Sequence, residues 1–88
     1  GPIEAVPDWV CEILSPSTAR KDRARKLPLY GRLGVAHAWL VDPAAKTIEV
    51  LRYADGHWLL LDTFGEDDSM RAEPFDAVAI ELAPLWAW

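Results

Sequence analysis

Residues 7–26 read PDWVCEILSPSTARKDRARK, and the order of events inside this stretch decides the fold. An apolar run, Trp9 to Leu14, is bounded by Pro7-Asp8 and by Ser15-Pro16, which is the signature of a short buried β-strand. Period-two alternation puts Val10, Glu12 and Leu14 on one face and Trp9, Cys11 and Ile13 on the other. Ser17 or Thr18 then offers a side-chain oxygen to the free amides of a following helix. That helix is expected over residues 19–33, ending at Gly34. Pro28 falls inside it, cannot donate to the carbonyl of Ala24, and should kink it or split it into two short helices.

Outward from this stretch the chain continues in strands. His37 to Asp42 is closed by Asp42-Pro43, with Trp39 expected in the core. Thr47 to Tyr53 and His57 to Asp62 are joined through Ala54-Asp55-Gly56, a hairpin signal. Residues 65–69 (GEDDS) read as an exposed acidic loop. Residues 78–82 read as a short edge strand, followed by an apolar tail whose Trp86 and Trp88, with Trp58, suit either packing or a partner surface. The order strand–helix–strand–strand–strand implies an α/β (α+β) architecture, a small mixed sheet with one long helix packed on it. The helix between the first two strands fits a parallel crossover. Eighty-eight residues make one small domain, 1–88.

The charge is unevenly spread. Residues 20–32 hold six cations against one acid, and the rest of the chain holds three cations against thirteen acids. An overall charge of −5 argues against a protein that coats nucleic acid indiscriminately, whereas the local basic face suits phosphate contacts. One cysteine, Cys11, excludes an internal disulfide. Its apolar setting predicts a buried free thiol, in keeping with a reducing, cytoplasmic setting. No segment approaches the roughly 20 apolar residues of a membrane span. The chain starts Gly-Pro-Ile-Glu, without an initiator methionine or a signal-peptide core, and is expected to be a piece of a longer protein.

Glu12 is the residue that needs explaining, because a carboxylate in a buried strand must be paired, solvated or bound to a metal. Asp8 shares its strand parity but lies four steps away, about 13 Å along a strand. Asp22 and Lys26 are spaced i, i+4: either a surface pair, or a lysine leaning toward Glu12 where it can steady a water and stabilise charge at phosphorus. His37 and His57 lack metal-ligand spacing. Neither a phosphate-binding glycine loop nor a serine-nucleophile motif is present.

On these residues the chain resembles the Uma-two family of restriction-endonuclease-like proteins, within the PD-(D/E)XK nuclease superfamily. The matching pieces are Pro7-Asp8, Glu12 to Thr18, Asp22, Lys26, Tyr30, Gly34-Val35 and Trp39 to Pro43, continuing through TIEVLRYADGHWLLLDTF and RAEPFDAVAIELAPLW. The resemblance implies a restriction-endonuclease-like core that hydrolyses phosphodiester bonds of DNA with Mg2+ or Mn2+. Glu12 matches the acidic residue of the half-motif and would bind the metal, with Asp8 as a second candidate ligand. Leu14 stands where the motif has lysine, so the resemblance implies that Lys26, from the helix, assists the attacking water and that Asp22 orients it. Arg20, Lys21, Arg23 and Arg25 would contact phosphates. Family members resembling this chain are about twice as long, so it corresponds to a C-terminal half, truncated at the N-terminal side, and is expected to self-associate as a homo-oligomer. The alternative is a catalytically inactive remnant acting as an oligomerising or DNA-binding module.

Overall fold

A computed structural model describes residues 5–87. Four strands, β1 (Trp9–Ile13), β2 (His37–Asp42), β3 (Thr47–Ala54) and β4 (His57–Gly65), form one sheet in the order β1-β2-β3-β4. β1 and β2 are parallel, and the other two pairings are antiparallel. A second sheet pairs β5 (Ser69–Met70) with β6 (Ile80–Glu81). The sequence reading of a mixed sheet joined by a parallel helical crossover therefore holds. The short strand expected near 78–82 is β6, and it pairs with β5 rather than extending the main sheet.

The helical crossover runs without a gap from Ala19 to Leu33, but its hydrogen-bonding pattern changes ahead of Pro28. α1 (Ala19–Lys21) passes into a π-type turn (Asp22–Lys26), and α2 (Leu27–Leu33) follows with Pro28 in its first turn. Pro28 has no N–H to donate to the preceding turn. Gly34 ends α2 at φ 98°. Its N–H bonds to the carbonyl of Gly31, and the N–H of Val35 bonds to that of Tyr30, the left-handed closure that favours glycine. At the hairpin tip Asp55 and Gly56 both have positive φ, 53° and 80°, which matches the twist of the flanking strands.

Two cores lie on the two faces of the sheet. On the helix face, Leu14, Leu27, Ala38, Leu40 and Leu51 are buried together, with Val10, Tyr30 and Trp58 packed on them. On the outer face, Trp39, Val41, Ile48, Val50, Met70, Ala72 and Leu82 are buried, with Trp9, Phe64 and Trp86 packed on them. The run Trp58-Leu59-Leu60-Leu61-Asp62 serves both faces because the β3–β4 register shifts between Val50 and Leu51. Val50 pairs with Asp62 and Leu51 with Leu60, so Leu61 is the extra residue. A one-residue bulge reverses strand parity, which lets Trp58 pack toward the helix and Phe64 toward the outer core.

Cys11 departs from expectation. It is exposed rather than buried. β1 is the edge strand, and its outer-face residues beyond Trp9 have little laid over them; Ile13 is 63% exposed. Partial burial, aided by the Glu12 charge, pushes the Cys11 thiol above its ordinary value, so it stays protonated and a poor nucleophile.

The C-terminal segment is fastened to the outer face by Glu73. Its carboxylate meets His37 Nε2 at 2.9 Å and accepts from Arg52 Nη1 at 3.0 Å. Its carbonyl accepts from Trp39 Nε1 at 2.8 Å. His37 and Arg52 are register partners on β2 and β3, so the carboxylate bridges two strands. The hydrogen bond from His37, and then Arg52, holds Glu73 below the ordinary glutamate value. A depressed carboxylate contributes stability that is complete above its unfolded pKa and is lost as pH falls through the folded one. Acidification below about pH 4.5 should therefore lower the unfolding midpoint of the wild type more steeply than that of Glu73→Gln. Midpoints measured from pH 3 to 7 would check this, and parallel curves would refute the bridge.

Candidate active site

β1 delivers Glu12 to the helix face because its even-numbered neighbours, Val10 and Leu14, pack into that core. The side chain is 19% exposed. The helical crossover lies over it, and two residues spaced i, i+4 reach the same carboxylate. Tyr30 donates its hydroxyl to Glu12 Oε1, and Lys26 Nζ lies 3.4 Å from Glu12 Oε2. The lysine side chain is 49% exposed, so the ion pair is screened and contributes at most a few tenths of a kcal/mol. The tyrosine bond is charge-assisted, and it comes from a ring packed on the core.

A second acid lies on the same face. In register, Glu12 pairs with Leu40, and Leu40 with Glu49, so the two glutamates stand two strands apart, about 10 Å by strand spacing. Glu49 receives Arg23, the cation three residues before Lys26. The inner side of the basic helix thus sets one cation over each carboxylate.

Of the residues expected from sequence, Glu12 and Lys26 come together. Arg20, Lys21 and Arg25 are exposed and available to a polyanion. Arg23 is held by Glu49 on the sheet side. The backbone of Asp22 lies in the π-type turn, and its side chain lies outside the described residues. Asp8 sits at a bend before β1, exposed, with its carbonyl accepting from the His37 N–H at 3.1 Å. It belongs to the far end of the strand and is not brought to Glu12. Sequence reasoning missed Tyr30 as a site residue, although its i, i+4 spacing from Lys26 was available. It also missed Glu49, a lone acid between Ile48 and Val50.

A magnesium ion takes six oxygens in near-octahedral array, with one or two carboxylates among them. Among the described residues no group of three acidic, histidine or cysteine side chains converges. Glu12 is one carboxylate, and both of its oxygens face donors. The described residues therefore do not by themselves fit a divalent ion. The apolar groove lined by Trp9, Ile13, Trp39, Leu85 and Trp86 is on the opposite face of the sheet and shares no residue with this site. Among the described residues no helix is long and apolar enough to cross a membrane.

The Uma2 family, described as "putative restriction endonuclease", matches residues 1–83. Among solved structures, a putative nuclease of the DUF820 group from Anabaena variabilis superposes with a TM-score of 0.66 at 25% identity. The alignment covers 92% of this chain and 44% of that one, so the chain spans less than half the length of that nuclease. No curated protein matches. The architecture is the restriction-endonuclease-like α+β core, with a mixed four-stranded sheet and a basic helix laid over it, and the chain belongs to the Uma2 family.

Proposed function

We propose that this chain is part of a DNA-cleaving domain that hydrolyses phosphodiester bonds, with Glu12 and Lys26 at the scissile phosphate. The observation that carries the reading is the convergence of a largely buried strand carboxylate, Glu12, with the inner residues of the most basic segment of the chain. The exposed Arg20, Lys21 and Arg25 bind backbone phosphates by counterion release. Their binding brings the duplex over the helix, where Lys26 can exchange Glu12 for a phosphate oxygen. An ammonium there orients the attacking water and stabilises the negative charge that develops on the phosphoryl oxygens. Asp22, four residues before Lys26, is the acid proposed to orient it. Mg2+ or Mn2+ is the cofactor that the family implies, and it would need oxygens beyond those of Glu12.

A second reading is favoured by a ligand set that is incomplete among the described residues: a non-catalytic module that binds DNA or self-associates. The open edge of β1 and the exposed Ile13 support the self-association.

Plasmid cleavage that Glu12→Ala removes would establish the first reading. DNA binding without cleavage would move the second ahead. In either case Arg20, Lys21 and Arg25 changed together to glutamine should flatten the dependence of log K on log[salt] by up to about 2.7, at roughly 0.9 for each phosphate no longer neutralised. A slope unchanged by the triple variant would remove these residues from the interface.

A further inference from the structure

We infer that Tyr30 is the positioning residue for Glu12, and that it, rather than Lys26, fixes where the carboxylate points; the inference rests on the reading of Glu12 given above. Two donors compete for this role, and their settings differ. Lys26 is a long side chain, half exposed, reaching Oε2 at 3.4 Å. Such an ion pair is weak and costs rotamer freedom to keep. Tyr30 has only two side-chain torsions, its ring is packed on the helix-face core of Leu14, Leu27 and Leu40, and its hydroxyl donates to Oε1. The α2 backbone behind it is closed by the Val35 N–H bonding to the Tyr30 carbonyl at 3.0 Å. Ring and backbone are thus each anchored independently of Glu12, so the donor is preorganised and Glu12 is ordered against it.

The consequence is a division of labour. With Oε1 fixed by Tyr30, Lys26 can leave Oε2 for a phosphate while Glu12 keeps its orientation. A carboxylate held by the lysine alone would swing whenever the lysine engaged substrate. Small displacements of a catalytic group are expensive, so a loss of about tenfold, or about 1.4 kcal/mol in barrier, is expected from removing one hydroxyl.

The experiment uses the whole chain, labelled for carboxyl 13C detection, as wild type, Tyr30→Phe and Lys26→Met, beside cleavage assays of the same proteins and Glu12→Ala. A positioning role for Tyr30 predicts that Tyr30→Phe moves the Glu12 side-chain carboxyl resonance toward the free-glutamate position while Lys26→Met leaves it nearly in place. A merely structural phenylalanine-for-tyrosine change would not do this. A Glu12 resonance unmoved in Tyr30→Phe, or moved more by Lys26→Met, overturns the inference whether or not the chain cleaves DNA. Cleavage insensitive to Glu12→Ala overturns the underlying reading, and with it the assigned role of Tyr30. Should Tyr30→Phe fail to fold, the Tyr30 Cζ resonance in Glu12→Gln gives the reciprocal test, and an unchanged position there overturns the inference equally.

Discussion

Trp39→Ala should strongly destabilise the chain, and unfold it at 25 °C if its total stability lies at the low end of the usual range. Trp39 lies on β2, a central strand, and is 6% exposed. Its ring meets Trp9 edge-on at 5.1 Å and Phe75 at 5.7 Å. Its Nε1 donates to the Glu73 carbonyl at 2.8 Å, so it also holds the segment that covers the outer face. Truncating a buried tryptophan costs about 3–5 kcal/mol in transfer energy and residual cavity. At roughly 0.05–0.15 kcal/mol per residue, a chain of this length has about 4–13 kcal/mol in all. One substitution therefore removes between about a quarter and the whole of the total. The thermal midpoint should fall by more than about 12 °C, at 4–8 °C per kcal/mol. Trp39→Phe keeps most of the ring and should cost about 1–2 kcal/mol for the missing hydrogen bond and volume. A Trp39→Ala midpoint within a few degrees of wild type would mean that the outer core is not the stabilising half of the domain.

Glu12→Ala should separate activity from stability. Under the proposed function it removes the carboxylate at the reacting phosphate, and loss of a positioned catalytic side chain costs about 10²–10⁴ in rate. Folding should suffer little. Lys26 is already half in solvent, and losing the hydrogen bond from the Tyr30 hydroxyl to Glu12 costs about 1 kcal/mol. A rate loss of about a thousandfold with a midpoint drop of only a few degrees is the expected pattern. A large fall in stability with no specific loss of activity would make Glu12 a structural ion-pair partner.

Much of this is legible in the residues. The first four strands are short apolar runs bounded by Pro, Gly, Ser and Asp turn chemistry, so local signals suffice for them. The face assignment of Glu12 follows from alternation between Val10 and Leu14, and the irregular helical pattern ahead of Pro28 from its missing N–H. What escapes is non-local. Nothing in Leu59-Leu60-Leu61 says which residue is the bulge, because all three suit either core. The pairing of β5 with β6 joins residues 69–70 to 80–81, across a loop with no periodic pattern. Cys11 escapes because an apolar neighbourhood does not reveal whether a strand is central or at an edge. Trp58 and Trp86 pack on the two cores, and Trp88 lies outside the described residues. In the site, the Glu12–Lys26 pair follows from the family resemblance, whereas Arg23–Glu49 depends on the register of β3, which sequence alone does not set.

The central claim is that Glu12 under the basic helix is a phosphodiester-cleaving site. The most direct measurement is supercoiled-plasmid nicking with Mg2+ or Mn2+ by this chain and by a version lengthened on its N-terminal side, each beside its Glu12→Ala variant. Such a site predicts metal-dependent nicking by at least the longer protein, abolished by Glu12→Ala in a variant that still folds. Nicking that survives Glu12→Ala, or no nicking by either folded protein, would contradict it.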